Sequence, residues 1–112
     1  MDSYSLVSTA LTLETAKKSS DPQAGLTALL KWHTAFLQYL WVHPDHRNRG
    51  YGSMLVAELE REARKHHCTN IAVHTFDFMA LEFYQKLGFH ICGQLPDAPR
   101  GHTYYWLRKP LI

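Results

Sequence analysis

The sequence predicts an α/β domain of the α+β type, with a mixed, largely antiparallel sheet and one parallel strand–helix–strand crossover. Three observations carry that prediction. Apolar or alternating segments of strand length recur along the chain and are separated by turn residues. One long segment, Gly52 to His67, has helical periodicity instead, with Leu55, Val56, Leu59 and Ala63 on a single stripe. That helix lies between two strand segments, and strands joined through a helix are expected to run parallel.

Taken in order, residues 1–9 are polar and rich in serine, and read as a loosely held segment before a single domain spanning 10–112. Ala10 to Ala16 alternates as a short, half-buried strand. Ser19-Ser20-Asp21-Pro22 punctuates a turn over 17–22. Ala24 to Lys31 is a leucine-rich strand, although its composition also permits a helix over 26–32. Trp32-His33-Thr34 forms a tight connection into a third strand, Ala35 to His43. After the long helix, Asn70 to Thr75 is a β-branched strand. Asp77 is placed to cap a second helix running to Leu87, which Gly88 ends in a left-handed cap. Phe89 to Leu95 and His102 to Lys109 are the closing strands, expected to pair antiparallel across a turn at 96–101.

Composition narrows the class. In 112 residues, 46% are hydrophobic and 20% charged, the balance of one globular domain with a single core. No apolar run is long enough to span a bilayer and no signal peptide is visible, so no membrane association is expected and the chain reads as cytoplasmic. A net charge of +2, with basic residues spread along the chain, gives no reason to expect nucleic acid as a partner. Cys68 and Cys92 stand in neither a metal nor a redox spacing and read as reduced, buried small residues. Eight histidines invite a metal reading, but His66 and His67 point apart on a helix and His43 and His46 flank a proline turn, so no metal is expected.

The chemistry concentrates between Gln38 and Ser53. An apolar strand breaks at Pro44, passes through a basic turn with two glycines and enters the long helix. Glycines allow close backbone approach, and a helix start offers unpaired N–H groups with a partial positive charge. Such a corner binds anions, and Arg47 and Arg49 favour a pyrophosphate over one carboxylate. The motif lacks the Lys-Ser/Thr of a P-loop and the third glycine of a dinucleotide fingerprint.

Arg47-x-x-Gly50-x-Gly52, preceded by Leu40-x-Val42-x-Pro44, closely resembles the acyl-CoA signature of the GNAT superfamily of N-acetyltransferases. A second block, Asp77-x-x-Ala80-x-x-Phe83-Tyr84-x-x-x-Gly88-Phe89, resembles the family as well, and the likeness runs from about Ala10 to the C-terminus. The resemblance implies a GNAT-like fold and transfer of an acetyl group from acetyl-CoA, as cosubstrate, to a primary amine of a small molecule or peptide. It implies that the backbone N–H groups of Asn48, Arg49, Gly50, Tyr51, Gly52 and Ser53, with Arg47, hold the CoA pyrophosphate. It further implies that Leu40, Trp41 and Val42 pair with the pantetheine arm, the Leu40 N–H polarising the acetyl carbonyl.

Tyr84 matches the tyrosine that protonates the departing thiolate in the family, a task suited to a phenol, although an aromatic beside a buried face is the plainer alternative. Asp77 stands where many relatives carry an asparagine that donates to the cofactor. A carboxylate can only accept, so its capping role is preferred. The strand before the glycine turn contains no Asp or Glu, which leaves His33, His43, His74 or a water chain as candidate bases. Family members usually begin with a further strand and one or two helices that shape the acceptor pocket, and this chain looks shortened there. Two expectations follow: a homodimer or higher homo-oligomer joined through its first strands, and, as an alternative to catalysis, a CoA-binding or protein-interaction module.

Overall fold

The computed structural model describes residues 9–14 and 23–111. The expected loose segment, the last two residues of the first strand and the turn at 17–22 lie outside the described residues, apart from Thr9. Six strands form one mixed sheet: β1 (Thr9–Glu14), β2 (Ala24–Lys31), β3 (Thr34–Val42), β4 (Asn70–Phe76), β5 (His90–Pro96) and β6 (Thr103–Pro110), in spatial order β1-β2-β3-β4-β6-β5. Helix α1 (Tyr51–Lys65) joins β3 to β4, and α2 (Leu81–Lys86) joins β4 to β5. As expected, β3 and β4 are parallel and the remaining neighbours, including β5 and β6, are antiparallel.

Alternation explains why Ala24–Lys31 is a strand and not a helix. Ala24, Leu26, Ala28 and Leu30 face the core at period two, and β2 is hydrogen-bonded on both sides, to β1 and to β3. The turn into β3 is a two-residue hairpin in which Trp32 and His33 both take left-handed backbone, at φ 53° and 63°, matching the twist of the flanking strands.

Helix α1 buries Leu55, Val56, Leu59 and Ala63, the stripe its periodicity predicts, against β2 and β3. Lys109 Nζ lies 3.0 Å from Glu60, tying the helix to β6. The largest fully buried side chains include Phe89, Leu26, Leu59, Ile71 and Leu107, each contributing roughly 1.5–3 kcal/mol by leaving water. Both helices lie on one face of the sheet. On the other face, Phe36, His74, Phe76, Tyr104 and Trp106 are only partly covered or exposed. No helix of the described residues is long and apolar enough to cross a membrane.

Two expectations need correction. Asp77 does not cap α2: residues 77–80 form turns, the helix starts at Leu81, and its N-cap, Ala80, makes no side-chain capping bond. Thr75 Oγ1 instead accepts the Ala80 N–H at 3.2 Å, while both Asp77 carboxylate oxygens are engaged by the loop before β6. Cys92 is exposed, not buried: it is the extra residue of a bulge between Ile91 and Gly93 in β5, an edge strand none of whose residues is buried. Cys68 is buried as expected, and burial pushes its thiol pKa up. Gly88 does end α2 in left-handed backbone, at φ 96°.

Candidate functional site

β3 and β4 pair over only three residues, Thr34–Phe36 with Asn70–Ala72. Beyond them the strands part. Across β2, Ala28 stands opposite Leu37 and Thr27 opposite Tyr39, so Gln38 is an extra residue in β3. A bulge of this kind bends its strand and sharpens the local twist, which accounts for β3 leaving β4 at this point. The side of β3 that faced β4 has no strand partner from Leu37 to Val42 among the described residues.

A cleft of about 990 Å³ opens there on the helix side. One wall is the end of β3, at Leu40, Trp41 and Val42. The floor is the glycine turn and the start of α1, with Arg47, Asn48, Gly50, Tyr51, Gly52 and Ser53. The far wall is the approach to α2, with Met79, Ala80 and Phe83, and His46 closes the rim.

The turn is shaped for an anion. Asn48 and Gly50 both adopt left-handed backbone, at φ 64° and 81°, which turns successive amides to one side. The first helical bond of α1 runs from the Met54 N–H to the Gly50 carbonyl at 3.0 Å. The backbone N–H groups of Gly50 to Ser53, where the turn enters α1, donate to no protein acceptor among the described residues. The N-cap provides no side-chain acceptor and the first turn contains no acidic residue, so the positive end of the helix is uncompensated. A Cβ at Gly52 would stand 3.1 Å from Phe83 Cζ, so the missing side chain lets α2 close over the turn. These are the donor set and clearance that a phosphate or pyrophosphate requires.

Most of the sequence-predicted residues meet at this cleft. Arg47 lines it while its Nε donates to the Val42 carbonyl at 3.3 Å, bracing the turn against β3. Trp41 lies over Gly25, whose lack of a side chain makes room for the indole. Arg49 is not brought to the cleft. It turns outward, with Nη1 3.4 Å from His46 Nδ1. Asp77 is not brought to it either, since Oδ2 accepts the Thr103 N–H and Oδ1 faces His102 Nδ1, each at 2.9 Å.

Tyr84 sits behind the cleft wall. It is 5% exposed, with its ring edge-on to Phe83 at 5.1 Å and to Phe89 at 5.3 Å, and burial pushes its phenol up to about 12. The Tyr84 carbonyl accepts the N–H groups of Leu87 and Phe89, so the same residue closes α2.

Met79, Ala80, Phe83 and His46 were not expected at the site. Ala80 and Phe83 read as a buried helical stripe, and Phe83 does pack against the core while one side meets the cleft. The candidate bases separate. His33 lies in the hairpin, with Nδ1 3.3 Å from the His67 carbonyl, and His43 accepts the Asp45 N–H at 3.2 Å. Only His74, of the three, lines a recess, on the other face of the fork.

A six-stranded mixed sheet forked at its parallel pair, with an anion-binding turn leading from the fork into a helix, defines the class of acyl-CoA-binding transferase folds. The family model for the GNAT acetyltransferases matches residues 8–89, and the chain belongs to that family. It is 38% identical over 88 residues to a blasticidin-S acetyltransferase from Streptomyces morookaense, a match covering 78% of this chain and 65% of that enzyme. Other sequence relatives are covered over only 36% or 42% of their length. An acetyltransferase from Bacillus cereus ATCC 14579 superposes with a TM-score of 0.91 at 29% identity, over 98% of this chain and 79% of that one. An aminoglycoside 6'-N-acetyltransferase complexed with coenzyme A superposes at 0.83 with 20% identity, over 92% and 73%, and at that identity shares the fold alone.

Proposed function

We propose that this chain transfers an acetyl group from acetyl-CoA to a primary amine of a small molecule or peptide. The observation that carries the reading is the set of amides from Gly50 to Ser53, without a protein acceptor among the described residues, at the start of a helix whose first turn holds no acidic residue. In this reading those amides and the Arg47 guanidinium hold the pyrophosphate, and the free side of β3 from Leu40 to Val42 pairs with the pantetheine arm as a further strand would. The bound thioester supplies an electrophilic carbonyl and a thiolate leaving group. The Leu40 N–H hydrogen-bonds the carbonyl oxygen as it gains charge. The amine nitrogen bonds to the carbonyl carbon and gives up a proton to solvent water, the C–S bond breaks, and the Tyr84 hydroxyl protonates the departing thiolate and regains a proton from solvent. A phenol held near 12 keeps its proton in mildly alkaline solution, where more of an amine is neutral and nucleophilic.

A cytoplasmic setting suits the two free cysteines. We also propose self-association through β1, which lies at the edge of the sheet among the described residues. A stable monomer in light scattering at micromolar concentration would remove that part.

The cofactor site of this reading is tested by Gly52→Val. The added side chain meets Phe83 and fills the floor of the cleft, so CoA affinity measured by calorimetry is expected to fall by about 100-fold while circular dichroism stays native. Retained affinity in a folded variant would show that CoA does not bind here.

A further inference from the structure

On the sheet face away from the helices, the same fork opens into a second recess of about 550 Å³. It starts at Phe36 and Ala72, the last paired residues of β3 and β4, and meets the first cleft at Met79, which lines both. Its walls come from three strands: Phe36 from β3, His74 and Phe76 from β4, and Tyr104 from β6. The register explains the gathering, since His74 pairs with Trp106 and Phe76 with Tyr104, all on one face.

The rings form a braced array. Tyr104 is 4.6 Å from Phe76, 5.6 Å from His74 and 5.2 Å from Trp106, and Phe78 stacks on the outer side of Phe76 at 5.3 Å. Tilted, stacked or edge-on to one another, they present a preformed slot of flat π surface. Tyr39, 72% exposed, stands at the rim. No Asp, Glu, Lys or Arg is among the described residues lining the slot. Arg108, further along the same face, is occupied by Asn70 Oδ1 at 3.0 Å.

A polycation entering such a slot would shed water from several charges with no carboxylate to receive them. A planar ring loses little on entry and gains stacking contacts, and the ring faces tolerate one nearby positive charge. We propose that the slot is the acceptor site and that it selects an aromatic or heteroaromatic amine carrying at most one positive charge. The amine sits toward Met79, where the two recesses join. This rests on the transfer reading above and adds the class of acceptor to it.

Two measurements on the intact chain separate the ideas: amide chemical-shift changes by NMR, and thiol release from acetyl-CoA, each with tryptamine, butylamine and spermine. Tryptamine is expected to shift the Phe36, His74 and Tyr104 amides and to exceed butylamine in kcat/KM by about tenfold or more, with spermine poorest. Tyr104→Leu, which keeps bulk and removes the ring, is expected to narrow that ratio, with retained CoA binding as evidence of folding. Phe36→Leu, on the opposite wall, serves if Tyr104→Leu does not fold. Unmoved recess amides, spermine equal to or better than tryptamine, or an unchanged ratio in the folded variants would each overturn the slot assignment. Tryptamine binding in the slot with no thiol released by any amine would support the slot and sink the transfer. Thiol release led by spermine would do the reverse.

Discussion

The cleft on the helix side and the slot on the open face share one fork and one residue, Met79, yet they are made of different material. The cleft is built mainly from backbone, with N–H groups presented by left-handed residues at Asn48 and Gly50 and by the first turn of α1. The slot is built from side chains, with aromatic rings from β3, β4 and β6, those of His74, Phe76, Tyr104 and Trp106 meeting by tilted and edge contacts. A backbone site recognises a group common to many ligands, a phosphate on the reading proposed above, and tolerates change in its side chains. A side-chain site recognises a particular shape, and is where relatives with the same cleft can diverge in substrate.

The comparison breaks most sharply at Tyr84, which belongs to neither wall and is proposed to serve the reaction between them. Tyr84→Phe removes one proton and keeps the ring, so turnover is expected to fall by about 10²–10⁴-fold with CoA affinity nearly unchanged. An unchanged turnover number would make Tyr84 a core residue that only closes α2. The same substitution has a second, smaller readout. The folded-state phenol is raised from an ordinary value near 10 to about 12, so the native state keeps its proton where the unfolded state loses it. That stability is complete below about pH 10 and is lost as pH climbs through 12, a difference of roughly 2–3 kcal/mol. Wild type is therefore expected to lose stability to urea between pH 10 and 12, and Tyr84→Phe to lose less over the same range.

The two regions also differ in how far the sequence reveals them. The cleft was legible because its parts are contiguous: a strand, a proline break, residues that tolerate left-handed backbone and a helix start follow one another within about sixteen positions. The slot was not, because Phe36, His74, Phe76 and Tyr104 come together only through the β3–β4 and β4–β6 registers. Alternation shows that His74 and Phe76 share a face but not which strand lies beside them. The bulge at Gln38 that opens the fork has no sequence signature, and neither does the bulge at Cys92. Asp77 misled for a related reason. An acidic residue before an apolar run suits an N-cap, but turns at 77–80 intervene and Thr75 takes the amide that Asp77 was expected to bind.

The smallest expected effect sharpens the contrast within the cleft itself. The charge argument from sequence offers Arg47 and Arg49 alike as cations for a pyrophosphate, whereas the structure separates them. Arg47 lines the cleft and is steadied by the Val42 carbonyl, while Arg49 is turned toward His46. Removing a guanidinium that contacts a phosphate typically costs a charge-assisted hydrogen bond, so Arg47→Ala is expected to weaken CoA binding by about tenfold. Arg49→Ala leaves every amide donor in place and acts only through a solvent-screened charge, so its effect is expected to stay below about threefold and to fade as salt is raised. Calorimetric titrations of both variants at low and high ionic strength check the ordering. If Arg49→Ala cost as much as Arg47→Ala, the side chain would have to swing into the cleft on binding, and the pyrophosphate would be held by side chains as much as by backbone.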